Sequence, residues 1–315
     1  LGWEWCTSGT TTVLCGVLRS ALDPAKHGIA AVGGKGKLSR QVPMQLAAIG
    51  KQLDLADEQI DRARYASRMA AKVDTAAVQA GYPIYHHTVF VSGEGKWAVV
   101  QQGMRPKIHA ARRYHWLSDR VRSFVDEPHS AILGDRWHDR VLDMTAKGSA
   151  ECRKIVTDLV CDHSPSHIRS TFRAASIKGQ RTLEEWFPGL PSRRIAYLKL
   201  LPSRVDWDAV QRAYEFKPAD FEEFLNLKGV GPATVRGLAL LSQLMYGCEP
   251  SWQDPVKFSF AFGSKDGTPF PVNRKAMDEA HEVLKTAVQE AKVGKREKLE
   301  ALKRLSDLTS NVVGA

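Results

Sequence analysis

Between Phe221 and Gly247 the chain reads FEEFLNLKGVGPATVRGLALLSQLMYG, a string that few architectures accept. Phe221, Phe224, Leu225 and Leu227 form a short apolar stripe at helical spacing that stops at Lys228-Gly229-Val230-Gly231. Pro232 follows, where a first helical turn tolerates it because the missing N–H would have no intrahelical partner. Val235, Leu238, Ala239 and Leu241 continue the helical spacing until Tyr246-Gly247 ends it. Two helices joined by a Gly-x-Gly turn make a helix-hairpin-helix over 221–247. Its glycines let backbone approach a phosphate, and the first-turn N–H groups of the second helix point at the anion. The expected contact set is Lys228, Gly229, Val230, Gly231, Ala233, Thr234 and Arg236, gripping a nucleic-acid backbone without reading bases. An ordinary αα-hairpin with a glycine turn is the competing reading.

A net charge of +10 and a pI near 9.4 suit a polyanionic partner. Residues 1–150 hold 20 Lys+Arg against 14 Asp+Glu and the remainder 25 against 21, so a DNA-facing surface is not confined to the hairpin. The five cysteines form no CxxC pair or zinc spacing, and an odd count without a secretory segment fits a reducing cytoplasm. No run approaches transmembrane length. The chain starts at Leu1 inside an apolar stretch, which predicts a preceding segment.

Along the first half, Val13, Leu14, Val17 and Leu18 make a helical stripe behind the hydroxyl cluster Ser8, Thr10, Thr11 and Thr12. Ile29–Val32 reads as a buried strand opening into a glycine loop with Lys35, Lys37 and Arg40, suited either to phosphate contact or to plain solvation. Residues 43–73 read as two helices with a turn at Leu53–Ala56. The period then changes to 2: Tyr82–Val91 and Trp97–Gln102 are strands joined by Ser92–Lys96. Pairing Phe90 with Ala98 sets His87 opposite Gln101 and His86 opposite Gln102, on alternate faces. Arg112, Arg113, Tyr114, His115 and Trp116 join charge to rings that can stack on bases, or form a basic aromatic helix on the core. The stretch from Asp135 to Val160 reads as helices, and Cys161–Ser166 as a linker. The expected fold is α+β: a mixed domain with a small β-sheet over 1–161, and a helical domain over 162–315 carrying the hairpin.

Polar residues gather at the strand hairpin in apolar surroundings. Asp74, His86, His87, Gln101, Lys72 and His115 are the candidate catalytic set. Phosphodiester hydrolysis needs an activated water, stabilised phosphorane charge and a protonated leaving oxygen. Asp74 with His87 can hold a divalent metal, Mg or Mn, for this purpose. The acids of D…[DE]xK nucleases are absent, since Gln101-Gln102 stands in their place. For His86-His87 the competing reading is a strand pair with one ring buried and hydrogen-bonded; for Asp126-Glu127-Pro128-His129 it is a loop start.

The strings WCTSGTTTVLCGVL, AAVGGKGKLSR, YASRMAAKVDTAAVQAGYPIYHH, WAVVQQGM, ARRYHWLS, LKGVGPATVRGLAL and FAFGSKDGTPFPVNRK, in this order, run through nearly the whole length. By them the chain resembles the bacterial and archaeal family called domain of unknown function 763. That resemblance implies a helical segment before Leu1 and no particular chemistry. The family pattern has His where this chain has Cys6, and Asp where it has Asn273. The hairpin also resembles that of helix-hairpin-helix DNA glycosylases, with PVNRK at 271–275 similar to their catalytic Val-Asp string. Asn273 is not a carboxylate, however, and it lies far beyond the hairpin.

Two functions follow as expectations. One is a DNA nuclease or repair endonuclease whose strand-containing domain cuts duplex DNA held through its backbone. The other is a non-catalytic architectural DNA-binding protein. They differ in whether the polar cluster meets a cleft that reaches the hairpin.

Overall fold

A computed structural model describes residues 9–134, 136–175, 201–202 and 204–257, with isolated positions 282, 285, 286 and 299. The chain divides into two compact units, Thr11–Phe258 and a second made of Leu1–Thr10 with Ser259–Ala315. The Asn273 string and residues 176–200 lie outside the described residues.

The first unit opens with α1 (Gly9–Ala21), the short α2 (Pro24–His27) and β1 (Ile29–Lys35), followed by α3 (Val42–Gln52) and α4 (Asp57–Lys72). A two-residue strand β2 (Val78–Gln79) precedes β3 (Ile84–Ser92), β4 (Trp97–Arg105), β5 (Ala110–Leu117) and β6 (Ala131–Gly134). These form a five-stranded antiparallel sheet in the order β1-β3-β4-β5-β6, while β2 pairs with β7 (Leu142–Asp143). Helices follow: α5 (Ala150–Asp162), α6 (Pro165–Ala175), α7 (Trp207–Phe216), α8 (Phe221–Asn226) and α9 (Pro232–Tyr246). The architecture is α+β, and the C-terminal part of this unit is largely helical.

Alternation along β3 and β4 sorts the sheet into two faces. Phe90 pairs Ala98, His87 pairs Gln101 and His86 pairs Gln102, the expected register. One face holds Val32, Val89, Val99, Tyr114 and Trp116, buried beneath α3 and α4. α4 has acids Asp57 and Glu58 in its first turn, where they favour the helix dipole. The Ala56 N–H donates to Gln59 Oε1 at 2.9 Å. Its buried stripe is Ile60, Ala63, Ala66, Met69 and Ala70, with one polar member, Ser67. A π-helical turn at Val73–Ala77 then turns Asp74 inward. Such turns recur at functional sites.

The sheet revises four local expectations. The apolar stripe of α1 faces outward, with Val13 63% and Val17 57% exposed, because the sheet face beneath is polar. Thr11 and Cys15 are buried there instead: Thr11 Oγ1 donates to Gln102 Oε1, and Arg19 Nη1 donates to the Gly33 carbonyl at 2.9 Å. Gly33 and Gly34 belong to β1, not to a loop; at φ +93° Gly33 lies so close to the His87 carbonyl that a side chain has no room. Arg112–Trp116 form a strand, because β-favouring Tyr114 and Trp116 face the core and alternate with Arg113 and His115 on the polar face. The stretch before α5 is β7 with loops and a 3-10 turn at Lys147–Ser149, not α-helix.

One hydrophobic core runs from Val89 and Trp116 through Val156 of α5 to Leu238 and Phe224. The expected 161/162 boundary falls at the end of α5, inside this unit.

Candidate functional site

Asp74 is 2% exposed and receives three N–H donors. Gln101 Nε2 and Trp116 Nε1 (3.1 Å) donate to Oδ2, and His129 Nε2 lies 2.5 Å from Oδ1. The carboxylate fixes the rest of the set. A carboxylate only accepts, so Gln101 turns its NH₂ to Asp74 and its Oε1 to His87 Nδ1, 2.9 Å away. Nδ1 therefore carries the proton, and Nε2 accepts from the Ser67 hydroxyl at 2.7 Å. The result is a buried chain Ser67–His87–Gln101–Asp74–His129. Burial pushes the His87 imidazole below its ordinary range, opposed by the Gln101 bond and the negative charge of Asp74. The His129 ring also meets two aromatic rings, with the Trp116 ring centroid at 4.5 Å and that of Tyr114 at 5.7 Å.

This chain of groups separates two openings. Ser67, His87 and Gln101 line a cavity of about 1420 Å³, beside Arg40, Arg64 and Tyr65. Asp74 lines a groove of about 610 Å³ with Gln79, Tyr82, Pro232, Ala233 and Arg236. The groove thus reaches the first turn of α9.

The expected catalytic residues are not one cluster. Asp74, His87 and Gln101 come together; His86 and His115 lie on the opposite face of the sheet. His86 Nε2 meets Thr88 Oγ1 at 3.0 Å, while its Nδ1 and the Nε2 of His115 are buried with no hydrogen-bond partner among the described residues. Burial pushes both rings down to about 4. Lys72 leaves the set altogether. Its Nζ donates to the carbonyls of Leu227 (2.9 Å) and Val230 (2.8 Å) in the turn between α8 and α9. Burial and nearby Arg68 lower its pKa.

That turn is built from inside. Arg212 Nε donates to the Lys228 carbonyl at 3.1 Å, so cationic side chains occupy the carbonyls of residues 227, 228 and 230. Gly229 takes φ +87° against Arg212 and Asp206. Gly231 is the N-cap of α9, and among the described residues no side chain caps it. Lys228, Gly229 and Pro232 are exposed, while Val230 and Thr234 are buried. Arg236 Nε donates to Gln79 Oε1 at 2.9 Å, and Gln79 Nε2 to the Pro232 carbonyl at 2.8 Å.

Of the other expected contacts, Lys35, Lys37 and Arg40 are exposed at the end of β1 and in the following 3-10 turn. Arg112 does not belong with them. It is 0% exposed, pairs with Asp254 at 2.7 Å and stacks over the Tyr82 ring, because its strand position faces the core. Arg113 faces the polar side and reaches Gln102 Oε1 at 3.4 Å.

For a divalent metal the fit is poor. Both oxygens of Asp74 already accept N–H groups, and both nitrogens of His87 are engaged. Among the described residues no group of three or more His, Cys, Asp or Glu is placed to hold a metal ion. The chemistry open to the set is hydroxyl activation by imidazole. Ser67 and His129 are the two members that sequence reasoning passes over. Ser67 is legible only as a polar residue in an apolar helical stripe, and His129 only as an acid-flanked loop histidine.

A family model described as "Protein of unknown function (DUF763)" matches residues 1–272. No curated protein and no solved structure matches the chain. Among the described residues no helix is long and apolar enough to cross a membrane.

Proposed function

The chain belongs to the DUF763 family, and for it we propose a DNA-binding protein that grips the duplex backbone at the α8–α9 turn, as a helix-hairpin-helix does, and hydrolyses phosphodiester bonds. The observation that carries the reading is the polarity of that turn. Three of its carbonyls are taken by Lys72 and Arg212, so what remains outward is exposed Lys228 and the uncapped N-terminus of a 15-residue helix. Positive charge, N–H donors and the helix dipole then favour the same anion. Lys35, Lys37 and Arg40 extend the basic surface. The hydrolytic part rests on the Asp74 network, which has the groove lined by Asp74 and Ala233 on one side and the cavity lined by Ser67 and His87 on the other. His87, held neutral by burial, is the base.

The architectural reading keeps one observation in its favour: every member of the Asp74 set is hydrogen-bonded within the set, as a structural network would be. A paired assay separates the two. Gel shifts on unrelated duplexes over a salt series read binding, and nicking of plasmid, linear and single-stranded DNA, with and without Mg²⁺ or Mn²⁺, reads cleavage. Binding that is insensitive to salt defeats the DNA reading. Binding without cleavage under all these conditions establishes the architectural one.

A further inference from the structure

We propose that Ser67 is a nucleophile activated by His87, forming a covalent phosphoseryl intermediate with a nucleic-acid phosphodiester in the cavity bordered by α4, β3 and β4. The inference rests on the phosphodiester reading above and replaces a metal-activated water with a side chain of this protein.

Three observations converge. First, the hydrogen-bond pattern determines the tautomer: Asp74 orients Gln101, Gln101 Oε1 holds Nδ1–H of His87, and the bare Nε2 faces the Ser67 hydroxyl at 2.7 Å. A hydroxyl within hydrogen-bond reach of an imidazole that is oriented by a third group is the arrangement nucleophilic catalysis requires. Second, Ser67 and His87 are each only 5% exposed, yet both line the same 1420 Å³ cavity, so the pair is dry on one side and reachable from the other. Third, Arg64 stands one turn before Ser67 on α4 and lines that cavity too. Its Nε donates to the Pro43 carbonyl at 2.9 Å and its Nη1 to Asp61 at 3.3 Å, which fixes the guanidinium in place. Arg40, Arg62, Arg68 and Lys96 also line it, against Glu58, Asp61, Glu94 and Asp119, so four of its five cations are guanidinium groups, which suit phosphoryl oxygens more than an acyl carbonyl.

The step balances without a co-reactant other than water. Ser67 Oγ forms a bond to phosphorus as its proton passes to His87 Nε2. The P–O bond to the leaving alcohol breaks, and that oxygen takes the proton back from Nε2. Water then gives a proton to Nε2 and attacks phosphorus, releasing Ser67, whose oxygen recovers the proton. Gln101 and Asp74 are positioning residues, holding the ring through Nδ1.

The test uses the full chain and a fluorophosphonate probe, whose electrophilic phosphorus reports the nucleophile without any DNA. The expected result is a single adduct mapped to Ser67 by peptide mass spectrometry. Ser67→Ala should give none, and His87→Gln should label on the order of 100-fold more slowly, the usual scale of general-base assistance. Because Ser67→Ala leaves Nε2 unpartnered, Ser67→Cys serves as the second variant; its thiol should react with iodoacetamide faster than Cys15 or Cys152, both buried. Folded wild type that takes no label at Ser67, or His87→Gln labelling at the wild-type rate, overturns the dyad whatever the gel shifts show. Labelling at Ser67 in a protein that fails to bind or cut DNA leaves the nucleophile standing and overturns the nucleic-acid substrate.

Discussion

Asp74 accepts three N–H groups where water does not reach, and this determines the cost of altering it. Asp74→Asn replaces one of the two accepting oxygens with an NH₂, so at least one of the three donors loses its acceptor. A loss of about 1–3 kcal/mol is expected from denaturant midpoints, together with loss of cleavage and retained DNA binding. Arg112 behaves as a core residue. Asp254→Ala leaves a fully buried guanidinium with its cation unpaired, for which about 3–5 kcal/mol is the usual cost. The histidines set a pH dependence. The rings of His86 and His115 are held at about 4 when folded, against roughly 6.5 in the unfolded chain. The unfolded state therefore binds more protons in this window. The stability from keeping these rings neutral is fully present above pH ~6.5 and is lost as pH falls toward 4. Melting temperature should drop between pH 7 and 5, and the His86→Gln, His115→Gln double variant should flatten that slope. An unchanged slope would place the titration elsewhere.

At the level of elements, the α8–α9 turn and the basic end of β1 can be probed separately. Gly229 is a poor probe of binding, because its φ of +87° and the adjacent Arg212 and Asp206 make any side chain destabilising. Gly231 has extended backbone and no atom nearer than the Gly229 carbonyl, at 3.8 Å. Gly231→Val should therefore keep the melting temperature near wild type while its bulk holds a phosphate away from α9, lowering duplex affinity across unrelated sequences. Equal affinity in this variant would argue against backbone contact at the turn. Lys35→Ala with Lys37→Ala should also lower affinity with little change in stability, since both side chains stand in solvent. Early unfolding with normal binding would make that segment structural.

At the scale of the whole unit, the sheet and the hairpin share one core. Tyr65 Oη donates to Glu222 Oε1 at 2.7 Å and Arg68 Nε to Asn226 Oδ1 at 2.9 Å, tying α4 to α8 across more than 150 residues of chain. Thr11–Phe258 should accordingly melt in one transition, with a sheet probe and a hairpin probe reporting the same midpoint. A fragment ending at residue 161 removes the partners of Cys152, Val156, Leu159 and Val160, all buried on α5, and should not fold cooperatively. Two separate midpoints, or a folded fragment, would support the two-domain division. Duplex affinity should fall steeply with salt, and Lys228→Ala should reduce the log–log slope by about 0.9 if that lysine neutralises one phosphate.

What the sequence by itself determined is local. Period-2 alternation with a five-residue turn fixed the β3–β4 register, so His87 and Gln101 share a face and His86 lies on the other. Glycine and proline punctuation placed the turn between α8 and α9, and the Leu53–Ala56 break divided α3 from α4. Short-range rules suffice there, because turn geometry and side-chain period act within a few residues. Tertiary structure decided the rest. Arg112 was legible as charge, but its burial depends on Asp254, 142 positions away, and on the Tyr82 ring. The apolar stripe of α1 suggested a core face, yet α1 lies on polar Gln102 and turns Thr11 and Cys15 inward. Lys72 looked catalytic beside Asp74 and instead holds two carbonyls more than 150 residues on. Ser67 and His129 join Asp74 through partners on β3, β4 and a distant loop. A polar side chain's role depends on which donor or acceptor meets it, and that is set by long-range packing, to which local periodicity is blind.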